Sequence, residues 1–165
     1  IVLPVINPSK ITSDKSGNLY VISMGDYIDI KPALFKISTS NNNTVTTIGT
    51  EVATAMAMNK AGDKLLLMNE TYDASYNRSV TLSYYDINSA KIVNESFVKD
   101  ATDVSAIVNI TVDYVTGNIY LGAMKDYTSN GSMHIISPEG TRIATISDTK
   151  GLNPAGAYFI TQVSK

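Results

Sequence analysis

Asp14-Lys-Ser-Gly17-Asn18-Leu-Tyr20-Val-Ile22 returns as Asn59-Lys-Ala-Gly62-Asp63-Lys-Leu-Leu-Leu67, and again as Asp113-Tyr-Val-Thr-Gly117-Asn118-Ile-Tyr120-Leu121. Each copy is a polar turn feeding an apolar run. The glycine supplies the left-handed backbone that a tight turn needs, and the Asp or Asn can bond its own backbone. The copies recur roughly every fifty residues, a period that marks β-propeller blades when each unit reads as short strands.

Working outward from the turns, the apolar runs Leu19–Ser23, Lys64–Met68 and Asn118–Gly122 read as strands covered on both faces, because they lack alternation. A second strand follows each polar loop: Ala33–Ser38, Thr81–Ile87 and Ser132–Ile136. After a turn rich in Asn, Ser, Pro or Gly comes a more polar outer strand: Thr44–Ile48, Lys91–Phe97 and Thr141–Ile146. The strand before each glycine turn completes four: Pro8–Thr12, Ala53–Met58 and Ala106–Val112. Ala and Met in 50–58 favour helix by propensity, but the repeat register makes that segment a strand. Small residues there suit an innermost strand, where blades converge.

The expected fold is therefore all-β: a β-propeller segment of three four-stranded blades at about 8–49, 52–98 and 105–147. Residues 1–6 read as the outer strand of a preceding blade. Within 155–165, Ala157–Val163 reads as the inner strand of a following one. Such a segment leaves open edges, which invite pairing. The remaining blades would come from another chain segment or from a second copy, as a homodimer.

The chain has 165 residues, a net charge of −2 and scattered Lys and Arg, so it carries no footprint for nucleic acid or an anionic membrane surface. Cysteine is absent, which rules out disulfides and thiolate metal sites. No apolar run approaches the roughly 18 residues of a membrane-spanning helix. The first residue is Ile1, which reads as a processed product or a piece of a longer protein.

The repeated [D/N]-x-x-G-[N/D]-x-[Y/L] turn with its apolar strand (14–21, 59–66 and 113–121) resembles YncE-like and surface-layer-type bacterial β-propeller proteins of unknown function. Gly151-Leu-Asn-Pro-Ala-Gly-Ala-Tyr-Phe159 resembles the end of such propellers. The resemblance covers nearly the whole chain, as the C-terminal half of the usual fold. It implies a seven-bladed, non-enzymatic, exported protein of the cell envelope, in the periplasm or on the outer surface. It supplies no catalytic residues.

Three loops between second and third strands, 24–32, 69–79 and 125–131, each pair an acid with a tyrosine. One reading is a binding rim for protein or glycan formed by Asp26, Tyr27, Tyr72, Asp73, Tyr76, Asp126 and Tyr127, since tyrosine offers a large ring and a hydroxyl at low entropy cost. The other is that the tyrosines pack on neighbouring blades while the aspartates cap turns. Asp26, Asp29, Asp73 and Asp126 form no contiguous calcium loop, so no metal or cofactor is expected. His134, the one histidine, sits in an apolar strand without a G-x-S-x-G nucleophile, and phosphate-cradling glycine loops are absent. The expectation is a non-catalytic binding or scaffold module. The alternative is a lactonase- or glycan-lyase-type propeller enzyme with a metal in its channel.

Overall fold

The computed structural model describes residues 1–99 and 104–160. They form three four-stranded antiparallel sheets, each a simple up-and-down meander. Sheet 1 holds β1 (Pro8–Ser13), β2 (Leu19–Ser23), β3 (Ala33–Ser38) and β4 (Thr44–Thr50). Sheet 2 holds β5 (Ala55–Met58), β6 (Lys64–Tyr72), β7 (Arg78–Asp86) and β8 (Lys91–Val93). Sheet 3 holds β9 (Ile107–Val112), β10 (Ile119–Ala123), β11 (Ser132–Ile136) and β12 (Arg142–Ile146), preceded by a single 3-10 turn at Val104–Ala106. The first strands of the sheets are neighbours: β1 lies against β5, and β5 against β9.

The glycine turns are built by their first residue. Asp14 Oδ1 accepts the backbone N–H groups of Ser16 and Asn18, both at 2.9 Å. Its Oδ2 accepts Asn18 Nδ2 at 2.9 Å and the Tyr20 hydroxyl at 3.0 Å. Asn59 Oδ1 does the same for Gly62, Asp63 and Lys64. Asp113 accepts from Val115 N–H and the Thr116 hydroxyl. Gly17, Gly62 and Gly117 all take positive φ, which a side chain would strain.

With the turn fixed, period-2 alternation sends successive side chains to opposite faces. Leu65 and Leu67 pack with Tyr20, Ile22 and Leu34 of sheet 1. Leu66 and Met68 pack with Ile110, Ile119 and Leu121 of sheet 3. Both faces of β6 are thus covered, which is why its sequence lacks alternation. In β5 the methionines face sheet 1 and the alanines face sheet 3. Each fully buried leucine contributes about 1.5–3 kcal/mol.

Some strands depart from expectation. The strand at 91–97 stops at Val93. The chain then turns inward because Phe97 and Val98 enter the core between sheets 2 and 3, and Lys99 N–H bonds the Gly140 carbonyl at 2.9 Å. Much of the expected loop 69–79 is strand, since β6 and β7 run on to a tight hairpin at 73–77. Residues 1–6 form no strand. The Ile6 and Asn7 carbonyls instead accept from Gly25 and Met24. Residues 155–157 lie beside β9 without forming a strand, Phe159 packs on Tyr120 of β10, and 161–165 lie outside the described residues.

Burial raises the Asp14 carboxyl, but hydrogen bonds from Asn18, Tyr20 and Ser16 outweigh it and hold the group below its ordinary value. Its contribution is therefore complete above the unfolded-chain value and fades as pH falls through it, from about pH 5 downwards. Asp14→Ala should cost about 2–3 kcal/mol in urea unfolding, because it strands the buried Tyr20 hydroxyl. Asp14→Asn should lose less, as Asn59 does this job in sheet 2, and should flatten the acid limb of the stability profile.

Candidate functional site

At the end of the sheets opposite the glycine turns, three further aspartates hold the loops. Asp26 Oδ1 accepts N–H from Ile28 at 2.9 Å, Asp29 at 3.0 Å and Ile30 at 2.8 Å. Gly25 makes this loop possible: a methyl group there would stand 1.8 Å from the Ile30 carbonyl oxygen. Asp73 accepts from Ser75 N–H at 2.8 Å and from both the backbone and side-chain nitrogens of Asn77 at 2.9 Å. Asp126 accepts from Thr128 N–H, the Thr128 hydroxyl and Ser129 N–H. These donations keep all three carboxyls below the usual carboxylate range: from Ile28 first at Asp26, Asn77 at Asp73 and Ser129 at Asp126. The acids shape turns. They do not converge on one another, and no group of three or more His, Asp or Glu suited to a metal ion occurs among the described residues.

The tyrosines beside them point into solvent. Tyr27 is 74% exposed, Tyr76 86% and Tyr127 81%. Tyr27 and Tyr76 also sit in the left-handed region, at φ 64° and 61°. A bulky residue there is strained by about 1–2 kcal/mol. Asn or Gly would hold the same turns without it.

Tyr27 and Tyr72 both line a depression of about 450 Å³ to which all three sheets contribute. Met24, Ala55, Met68 and Val108 supply apolar surface, and Lys10, Glu70 and Asn109 supply charge and hydrogen-bonding groups. The Asn7 side-chain amide donates to the Tyr27 hydroxyl at 3.4 Å. Tyr76, Tyr127 and the three aspartates lie outside this lining, so the seven expected residues form no single rim.

Glu70 and Arg78 were not among the sequence candidates. Arg78 Nε donates to Glu70 Oε1 at 2.7 Å, and the Tyr72 hydroxyl donates to the same oxygen at 2.5 Å. The Arg78 guanidinium also donates to the Ser105 and Ile107 carbonyls. The hydrogen bond from Arg78 keeps the Glu70 carboxyl low against the opposing effect of burial, and Glu70 in turn raises the Tyr72 phenol. One guanidinium thus ties a wall of the depression to the start of β9. The available signal was the opposite charges at 70 and 78 around a short hairpin.

A larger cavity of about 700 Å³ opens at the glycine-turn end, between sheets 2 and 3. Lys15, Lys60, Lys64 and Lys99 border it together with Asp63, Glu95 and Glu139, so its charge is mixed. Lys64 stands 4.8 Å over the Tyr84 ring. His134 is buried, with Nδ1 3.1 Å from the Thr145 hydroxyl and Leu82, Ile107 and Leu121 nearby.

No family model and no curated protein matches the chain. A solved structure of a luciferin-regenerating enzyme matches with a TM-score of 0.57 and 16% identity, over 86% of this chain and 46% of that one. The likeness is one of fold, and the chain spans less than half of that protein's length.

Arg78→Ala should destabilise the chain by about 3 kcal/mol, since it leaves a partly buried carboxylate without its cation. Arg78→Lys should recover only part, because one ammonium cannot serve Glu70 and both carbonyls in the guanidinium's fork geometry. Tyr76→Asn should raise stability by about 1 kcal/mol in the same unfolding assay by releasing backbone strain.

Proposed function

We propose that the three sheets are consecutive blades of a β-propeller and that the chain is a non-catalytic binding module of the bacterial cell envelope. The adjacency of β1, β5 and β9 supports the blade reading, because inner strands converge in that fold. The envelope location rests on the resemblance of the repeated turns to exported surface proteins.

The observation that carries the function is the pair Tyr27 and Tyr72 flanking the 450 Å³ depression at the inner-strand ends. Its size lies within the range of small-ligand sites, roughly 300–1,000 Å³. Exposed rings over an apolar floor, with Lys10, Glu70 and Asn109 at the edge, match a sugar's apolar face and its hydroxyls. A glycan is the favoured ligand, and a protein partner is the other form of the same reading. Strain at Tyr27 supports a functional role, since a non-glycine residue persists at such φ where function or context demands it.

An immobilised glycan panel tests the proposal. A retained glycan should bind about tenfold more weakly to Tyr27→Ala and to Tyr72→Ala, a loss near 1.4 kcal/mol per ring. Tyr76→Ala, outside the lining, should leave affinity unchanged. Equal weakening by Tyr76→Ala, or release of a cleaved glycan, would overturn the reading, the second result in favour of an enzyme.

A further inference from the structure

Six polar side chains line the depression beside Tyr27 and Tyr72: those two, Lys10, Thr54, Glu70 and Asn109. Their own hydrogen bonds decide what chemistry is left for a ligand. The Thr54 hydroxyl donates to the Met68 carbonyl at 3.2 Å and accepts the Glu70 N–H at 3.0 Å. Glu70 Oε1 receives both Arg78 Nε and the Tyr72 hydroxyl proton. The Asn109 amide donates to the Ala155 carbonyl.

Two strong donors remain. The Tyr27 oxygen accepts from the Asn7 amide at 3.4 Å, so the phenol still has its proton to give. The Lys10 ammonium makes no ion pair and no hydrogen bond among the described residues. Its place on the depression follows from an irregularity in β1. Ser9 is an extra residue there: the pairing steps from Pro8 opposite Ser23 to Lys10 opposite Ile22. Such a bulge re-aims the side chain beside it.

The charge balance of the lining is therefore one-sided. Glu70 is matched by Arg78, and Lys10 is matched by nothing in the lining. The other acids at this end of the sheets do not redress it. Asp26 Oδ1 takes three backbone N–H groups of its own turn, and Asp26, Asp73 and Asp126 lie outside the lining. Lys31, in the same loop as Tyr27, is paired with Glu51 at 3.4 Å.

We propose that this depression takes an acidic saccharide, its anionic group held by the Lys10 ammonium and the Tyr27 hydroxyl. This rests on the binding reading above and adds the charge of the ligand to it. A neutral sugar leaves the ammonium unanswered. A cationic ligand meets Lys10 and finds Glu70 already paired. An anionic oxygen answers both remaining donors, and hydrogen bonds to an ionised group are the stronger kind. A carboxylate and a sulfate ester share this chemistry.

Equilibrium binding of the full chain to matched probes tests it: a galacturonate oligomer against its methyl ester, and dextran sulfate against dextran. The acid form of at least one pair should bind about fivefold more tightly than the neutral form, the scale of one exposed charge pair. Which pair shows the preference tells a carboxylate from a sulfate. Lys10→Gln should erase the preference and Lys10→Glu should invert it, with unchanged thermal melts because Lys10 is exposed. Tyr27→Phe keeps the ring and should weaken the acid form alone. Lys125→Gln removes the same charge at the same end of the sheets but outside the lining, and should leave the preference intact. Equal binding of acid and neutral forms, or a preference that Lys125→Gln removes as fully as Lys10→Gln, overturns the inference. Neutral glycan bound through both tyrosines without any acid preference sinks this inference alone. An acid preference that needs Lys10 and the Tyr27 hydroxyl, with full affinity kept in Tyr72→Ala, sinks the paired-ring reading alone. Binding of no glycan sinks both.

Discussion

The fold depends on one short-range interaction: a side-chain oxygen of Asp14, Asn59 or Asp113 capturing the N–H groups of the turn that follows it. These contacts set where the chain reverses between the first and second strand of each sheet. A slip of one residue would exchange the two faces of β6 and send Leu65 and Leu67 to the wrong core. Because β6 faces a core on each side, the penalty for such a slip falls on both. The turn residue thus fixes packing some distance away, although its own bonds are local.

The same device recurs at the opposite end with a different consequence. Asp26, Asp73 and Asp126 hold loops in shape through backbone bonds, and Tyr27, Tyr76 and Tyr127 on those loops stay largely exposed. Two of those tyrosines occupy backbone that Gly or Asn would fill more cheaply. A chain that can supply Asn at 42 and 43, also at positive φ, has the easier solution within reach. Keeping a strained aromatic at 27, against the depression, is a local loss of stability that a binding role would explain.

How much of this was legible in the sequence follows from the range of each interaction. The glycine turns, the strands after them and the two-sided burial of 64–68 depend on neighbours in sequence, and they were readable. The hairpin 69–79 misled because Asn69, Glu70 and Thr71 are polar, although a strand projecting past its neighbours can be polar on both faces. The inward turn at 94–98 hid because Phe97 and Val98 answer to sheet 3, which comes later in the chain. The Tyr and Asp pairs were visible as pairs. Their grouping was not, because whether Tyr27 meets Tyr72 depends on how one sheet is rotated against the next. Glu70 and Arg78 were missed for the same reason: besides Glu70, the arginine bonds Ser105 and Ile107, which come much later in the chain.

Departures from the repeat carry as much information as the repeat. Lys15 and Lys60 are interchangeable parts, each spanning one sheet-to-sheet joint inside the chain. The third position breaks the pattern twice, with Tyr114 for lysine and one extra residue before Gly117. An internal joint forms while the sheets are tethered, so a flexible stem suffices and its ordering entropy is small beside the packing that forms with it.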